Sequence, residues 1–101
     1  MDTHARKLLV IIAEAALEKA LVEDLLRLGA QGYTVHDVRG GGRRGERASS
    51  WEGDRTIEVK VIATAPVAEA ITAHVLAAYC PNYSVSMFLS DVAVLRPEKF
   101  T

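Results

Sequence analysis

The residues with the clearest chemical meaning lie together between positions 39 and 55. Gly40, Gly41, Gly42, Gly45 and Gly53 make up five of the chain's seven glycines. Arg39, Arg43, Arg44, Arg47 and Arg55 stand there against Glu46, Glu52 and Asp54, a local surplus of two positive charges. Glycine leaves backbone N–H groups open to close approach by an anion. Arginine forks meet phosphate or carboxylate through paired, charge-assisted hydrogen bonds. The segment thus has the composition of an anion-binding loop. Trp51, the only indole in the chain, adds the kind of residue that anchors a partner's pocket.

Other candidate chemistry is thin. His4, His36 and His74 have no metal-ligand spacing among themselves or with Cys80. His74 falls on the apolar side of a helical pattern and reads as a packed polar residue. Cys80, followed by Pro81, reads as a small buried residue, because no base can be assigned to it. Gly40, Gly42 and Gly45 spell G-x-G-x-x-G, but no apolar helical stripe follows them, so a dinucleotide-binding turn is rejected.

The elements around the loop follow from periodicity. Leu8 to Ile12 is a continuous apolar run, which predicts a strand buried on both faces. Leu17, Leu21, Leu25 and Leu28 form a helical stripe, ended by Gly29 and Gly32. Residues 33–38 are rich in β formers, and Ile57, Val59 and Val61 alternate with Glu58 and Lys60, so two further strands flank the loop. Pro66 begins a second helix whose inward residues are predicted as Val67, Ala70, Ile71, His74, Val75 and Ala78. The last strand shows Val85, Met87 and Leu89 in one phase and Val92 and Val94 in the other, which predicts a bulge at Ser90–Asp91.

The order is β-α-β-β-α-β, a ferredoxin-like α+β fold with an antiparallel sheet and two helices on one face. One domain is expected over 1–101, with the long loop at about 40–55. The first strand is apolar on both faces, so self-association is expected to cover the second one. With 101 residues and a net charge of −1, composition favours neither nucleic acid nor an anionic membrane as partner. One cysteine permits no intrachain disulfide, no leader is visible, and the longest apolar run is far short of a membrane span. A soluble, cytoplasmic protein without membrane insertion is expected.

The stretch Gly32-Tyr33-Thr34-Val35-His36-Asp37-Val38-Arg39-Gly40-Gly41-Gly42-Arg43 resembles the G-x-T-V-x-x-V-x-G-x-G-R motif of the PII signalling superfamily. There the motif runs from the first helix into a long T-loop. The first strand and the terminal Val92-Ala93-Val94-Leu95-Arg96 also fall where that family has them. The resemblance implies a homotrimer with adenine nucleotide sites in the clefts between subunits and no catalytic machinery. Thr34 matches a residue near the adenine. Gly40 and Gly42, with Gly41 between them, match the base of the T-loop. Arg43 matches a basic residue of the cleft, with Arg44 beside it, and Arg96 matches a phosphate-side arginine.

Departures from the motif refine that implication. Arg44 stands where the family has a glutamine that helps hold Mg-ATP and 2-oxoglutarate. Cys80-Pro81-Asn82-Tyr83-Ser84 replaces its T-G-x-x-G-D-G-K phosphate loop, and no tyrosine between Gly40 and Arg55 is available for uridylylation. The pattern is similar to the PII-like proteins of inorganic-carbon handling, SbtB and the carboxysome-associated group. It implies AMP, ADP or cyclic AMP ahead of Mg-ATP, bicarbonate as a co-ligand, and a bicarbonate transporter or carboxysome component docking on the T-loop. Two alternatives on the same fold are a CutA-like trimeric binder and an acylphosphatase-like hydrolase. The second is disfavoured because Ala13-Glu14-Ala15-Ala16, after the first strand, has neither glycine nor arginine.

Overall fold

A computed structural model describes residues 1–42, 45–46 and 55–101. Strand β1 (His4–Glu14) leads through a 3-10 turn (Ala15–Leu17) into helix α1 (Glu18–Arg27). Strand β2 (Thr34–Val38) follows, then the two-residue strands β3 (Gly41–Gly42) and β4 (Gly45–Glu46). Strand β5 (Thr56–Ala63), helix α2 (Ala65–Ala78) and strand β6 (Ser86–Val94) complete the order, with a final 3-10 turn at Pro97–Lys99. The main sheet runs β2-β5-β1-β6 with every neighbour antiparallel, the ferredoxin-like arrangement expected from the sequence. Strands β3 and β4 form a separate small ribbon, Gly41 opposite Glu46 and Gly42 opposite Gly45.

Strand geometry explains the two sheet faces. Side chains alternate along a strand, and residues directly opposite on neighbouring strands share a face. Leu9, Ile11 and Ala13 of β1 face the same way as Val61, Val59 and Ile57 of β5. These join Leu21 and Leu25 of α1 and Ile71 and Val75 of α2 in one buried cluster, so both helices cover this face. Each such fully buried aliphatic side chain stabilises the fold by about 1.5–3 kcal/mol. Leu17 belongs to the 3-10 turn rather than to α1, yet it is still buried. On α2, Ala68 is buried while Ala70 and Ala78 are exposed, a rotation of the predicted stripe. Gly29 ends the first helix with φ 115°, a conformation that favours glycine.

The bulge predicted at Ser90–Asp91 is absent. The β1–β6 ladder runs unbroken from His4 opposite Val94 to Ile12 opposite Ser86. The change of phase is instead a change of face. Met87 and Leu89 lie on the helix-covered side; at Asp91 that side becomes polar, and Asp91 pairs with Lys7. Val92 and Val94 are apolar on the opposite side, next to Arg6 and His4.

His74 and Tyr79 of the second helical segment meet Asp24 of the first. His74 Nε2 lies 2.8 Å from Asp24 Oδ2, Tyr79 Oη donates to the same oxygen, and Arg27 Nη2 donates to Oδ1 at 3.3 Å. His74 is therefore the packed polar residue expected, with its partner on the other helix. Burial alone would push the Asp24 carboxyl up, but hydrogen bonds from Tyr79, His74 and Arg27 outweigh it and hold the group below its ordinary value. Cys80 is a free, half-buried thiol packed against the core.

Candidate functional site

The candidate site lies on the sheet face turned away from the helices. Leu8, Val10 and Ile12 of β1 point to it, as do Thr34, His36 and Val38 of β2, and Thr56, Glu58, Lys60 and Ile62 of β5. Part of this face is already covered within the chain, since Val10 is 1% exposed. Its neighbour Phe88, opposite Val10 on β6, is 55% exposed. Two cavities open on this face, at opposite ends of β2.

The first cavity, of about 430 Å³, is lined by the apolar Leu8 and Ile62 and by the aromatic residues Tyr33 and Phe100. Thr34 supplies a hydroxyl, and Lys60 and Lys99 supply ammonium groups. Apolar surface, aromatic rings and a few polar groups are what a flat heterocycle needs for binding and orientation. Two lysines additionally favour an anionic substituent.

The second cavity, of about 300 Å³, lies at the base of the 39–55 loop. The loop's Arg39, Gly40 and Gly41 line it with Val38, and across from them stand Thr56, Glu58, Ile12 and Ser86. A Cβ placed on Gly40 would meet nothing within 4 Å. The glycine thus leaves open space beside the backbone rather than relieving a clash. Asp37 and Arg55 tie the two ends of the loop together, with Arg55 Nη1 donating to Asp37 Oδ2 at 3.3 Å.

The His36–Glu58 pair bridges the two cavities. Glu58 Oε1 lies 3.6 Å from His36 Nε2 and 3.4 Å from Lys60 Nζ, so one half-buried carboxylate is flanked by two basic side chains. At the rise of an extended strand, Thr34 and Val38 are separated by about 13 Å. Both cavities therefore lie within reach of one elongated ligand.

The structure distributes the residues expected from the sequence over this surface. Thr34 lines the first cavity, and Gly40 and Gly41 line the second. Gly42 enters the β3–β4 ribbon. Arg96 lines neither cavity; its exposed guanidinium Nε lies 3.8 Å from Glu98 Oε2. Arg43, Arg44 and Trp51 lie outside the described residues. Sequence reasoning missed Lys60, Glu58, Tyr33 and Phe100. The signal for Lys60 was present in the alternation of β5, where a lysine occupies a position on the face expected to need cover. Among the described residues no group of three or more His, Cys, Asp or Glu side chains could hold a metal ion.

The sequence profile of the family described as nitrogen regulatory protein P-II matches residues 6–99. The chain belongs to the P-II family. A solved structure from Thermus thermophilus, described as a PII-like signalling protein, is 42% identical over 100% of both chains, with a TM-score of 0.86. CPII from Thiomonas intermedia, solved bound to ADP and bicarbonate, is 25% identical over 99% of this chain and 98% of that one, at a TM-score of 0.87. A further CPII structure, bound to ADP, AMP and bicarbonate, is 27% identical over 98% and 96%, at 0.75. Among curated protein sequences no match is found. Among the described residues, no helix is long and apolar enough to cross a membrane.

Proposed function

We propose that this P-II family member is a regulatory protein that binds an adenine nucleotide on its open sheet face and signals through the 40–55 loop. AMP, ADP or cyclic AMP is favoured over Mg-ATP, with bicarbonate as co-ligand. The observation that carries this reading is the pair of cavities, one lined by Leu8, Ile62, Tyr33 and Phe100 and one built on the glycine-rich loop base, about 13 Å apart along β2. An adenosine diphosphate laid along β2 puts its base beside Thr34 and its phosphates at Gly40 and Gly41. Arg43 and Arg44, which follow directly in sequence, then meet the phosphates or a carboxylate-like co-ligand. Arg96 takes the phosphate side from a neighbouring copy. The relatives that hold ADP, AMP and bicarbonate support this reading.

The site is completed by self-association into a homotrimer of one PII-like domain per chain, 1–101. Support comes from the exposed Phe88 and the apolar residues of β1 on the same face. The protein acts in the cytoplasm and is not an enzyme. Nucleotide binding is its input and the loop its output. A bicarbonate transporter or a carboxysome component is the partner that fits such a loop with Trp51 at its far part. Titration calorimetry with AMP, ADP, ATP and cyclic AMP, each with and without bicarbonate, tests the reading. Heat with AMP or ADP is expected; no heat with any of the four overturns it.

A further inference from the structure

We infer that Phe100, held in place by Arg6, is the base-stacking residue of the first cavity, and that the segment 97–101 closes over the bound nucleotide. The inference rests on the nucleotide reading and adds to it the residues that grip the base. Arg6 stands on the open face of β1, two residues before Leu8, which lines the cavity. Its Nε donates to the Phe100 carbonyl at 2.8 Å and its Nη2 to the Pro97 carbonyl at 3.3 Å. Nη1 donates to the Ala5 carbonyl at 2.8 Å, which fixes the guanidinium itself. These bonds go to main-chain oxygens, so they set the path of the segment and not the choice of side chain at 100. Given that path, Phe100 and Lys99 both line the cavity, together with Tyr33, Leu8 and Ile62.

The arrangement suits a purine. A planar base entering the cavity finds a ring on the segment to stack on, and stacking of a base on an aromatic side chain tolerates small shifts because it needs only the π face. Lys99, next to Phe100 in the chain, brings a positive charge that only an anionic ligand exploits. The segment is internally held by short turns, Lys99 N to the Arg96 carbonyl and Phe100 N to the Pro97 carbonyl, each at 3.0 Å. It can therefore shift as a unit about the Arg6 contacts. Because a ligand that favours the closed segment must be favoured by it in turn, nucleotide and closure strengthen each other.

The test is ADP titration of the full chain, compared with Phe100→Leu, Phe100→Tyr and Arg6→Gln. Leucine keeps the apolar cover and removes the π face; tyrosine restores it. Stacking of ordinary strength predicts an affinity loss of about tenfold or more for Phe100→Leu, recovery to near the natural value for Phe100→Tyr, and a loss for Arg6→Gln that is not compounded in the double variant. Trypsin supplies a second readout, since it cleaves after Lys99 but poorly between Arg96 and Pro97. ADP should slow cleavage after Lys99, measured by mass. If the natural chain binds no ADP, the nucleotide reading falls and this one with it. If the natural chain binds ADP and Phe100→Leu binds within twofold of it, the stacking role alone is overturned. Equal losses for leucine and tyrosine would overturn it as well, and unchanged cleavage at Lys99 would overturn closure.

Discussion

Replacing Tyr79 by phenylalanine should change how the fold responds to alkaline pH. The Tyr79 side chain is buried, and its hydroxyl donates to Asp24 Oδ2 across the two helices. Burial, followed by the hydrogen bond to the Asp24 carboxylate, pushes the phenol up to about 12 from its ordinary 10. A group raised in the folded state contributes stability that is fully present below its unfolded pKa. That contribution is lost as pH rises through the folded value. For Tyr79 the window is pH 10 to 12, and two units correspond to about 3 kcal/mol. The Lys7 ammonium, raised first by its hydrogen bond to Asp91, acts in the same direction at high pH. The difference between the natural chain and Tyr79→Phe therefore isolates the phenol. Urea unfolding at fixed protein concentration should show the variant destabilised at pH 8, by about 1.5–3 kcal/mol for a lost bond to a charged acceptor. The gap should narrow progressively between pH 10 and 12. A gap that stays constant to pH 12 would refute the reasoning.

Three further outcomes follow from particular residues. Gly29→Ala should destabilise the fold by about 1–2 kcal/mol, because φ is 115° and the added Cβ would sit 3.3 Å from Val67 Cγ2; thermal unfolding checks it. Arg43→Ala should weaken ADP binding about tenfold, as expected for a lost charge-assisted hydrogen bond, with the circular dichroism spectrum unchanged. Trp51 fluorescence should change in intensity or wavelength on ADP addition, as a loop that responds to the ligand requires, and an unchanged spectrum together with unchanged proteolysis of residues 40–55 would leave a passive binder.

The fold was legible because its signals are local. The apolar run of β1, the leucine spacing of α1 and the alternation of β5 each specify an element from a few neighbouring residues, and Gly29 ends its helix where helix-end chemistry requires. The bulge at Ser90–Asp91 was misread because polarity along β6 changes for a tertiary reason. Asp91 faces Lys7 on the helix-covered side, while Val92 and Val94 are buried or half-buried on the other. No inspection of β6 by itself contains Lys7. The same limit applies to the site. Thr34, Gly40 and Gly41 stand in one sequence motif, and they line the two cavities. Phe100 and Lys60 join Thr34 only after β5 pairs with β2 and Arg6 draws the last segment back across the sheet.

We propose that the open sheet face binds an adenine nucleotide along β2. This is tested most directly by ADP calorimetry on the natural chain and on Arg39→Met, since Arg39 lines the cavity at the loop base where the phosphates are laid. Saturable heat is expected for the natural chain, with an affinity lower by about tenfold for the variant, the scale of one charged hydrogen bond. Absence of heat for the natural chain, or equal affinity in the two, would contradict it.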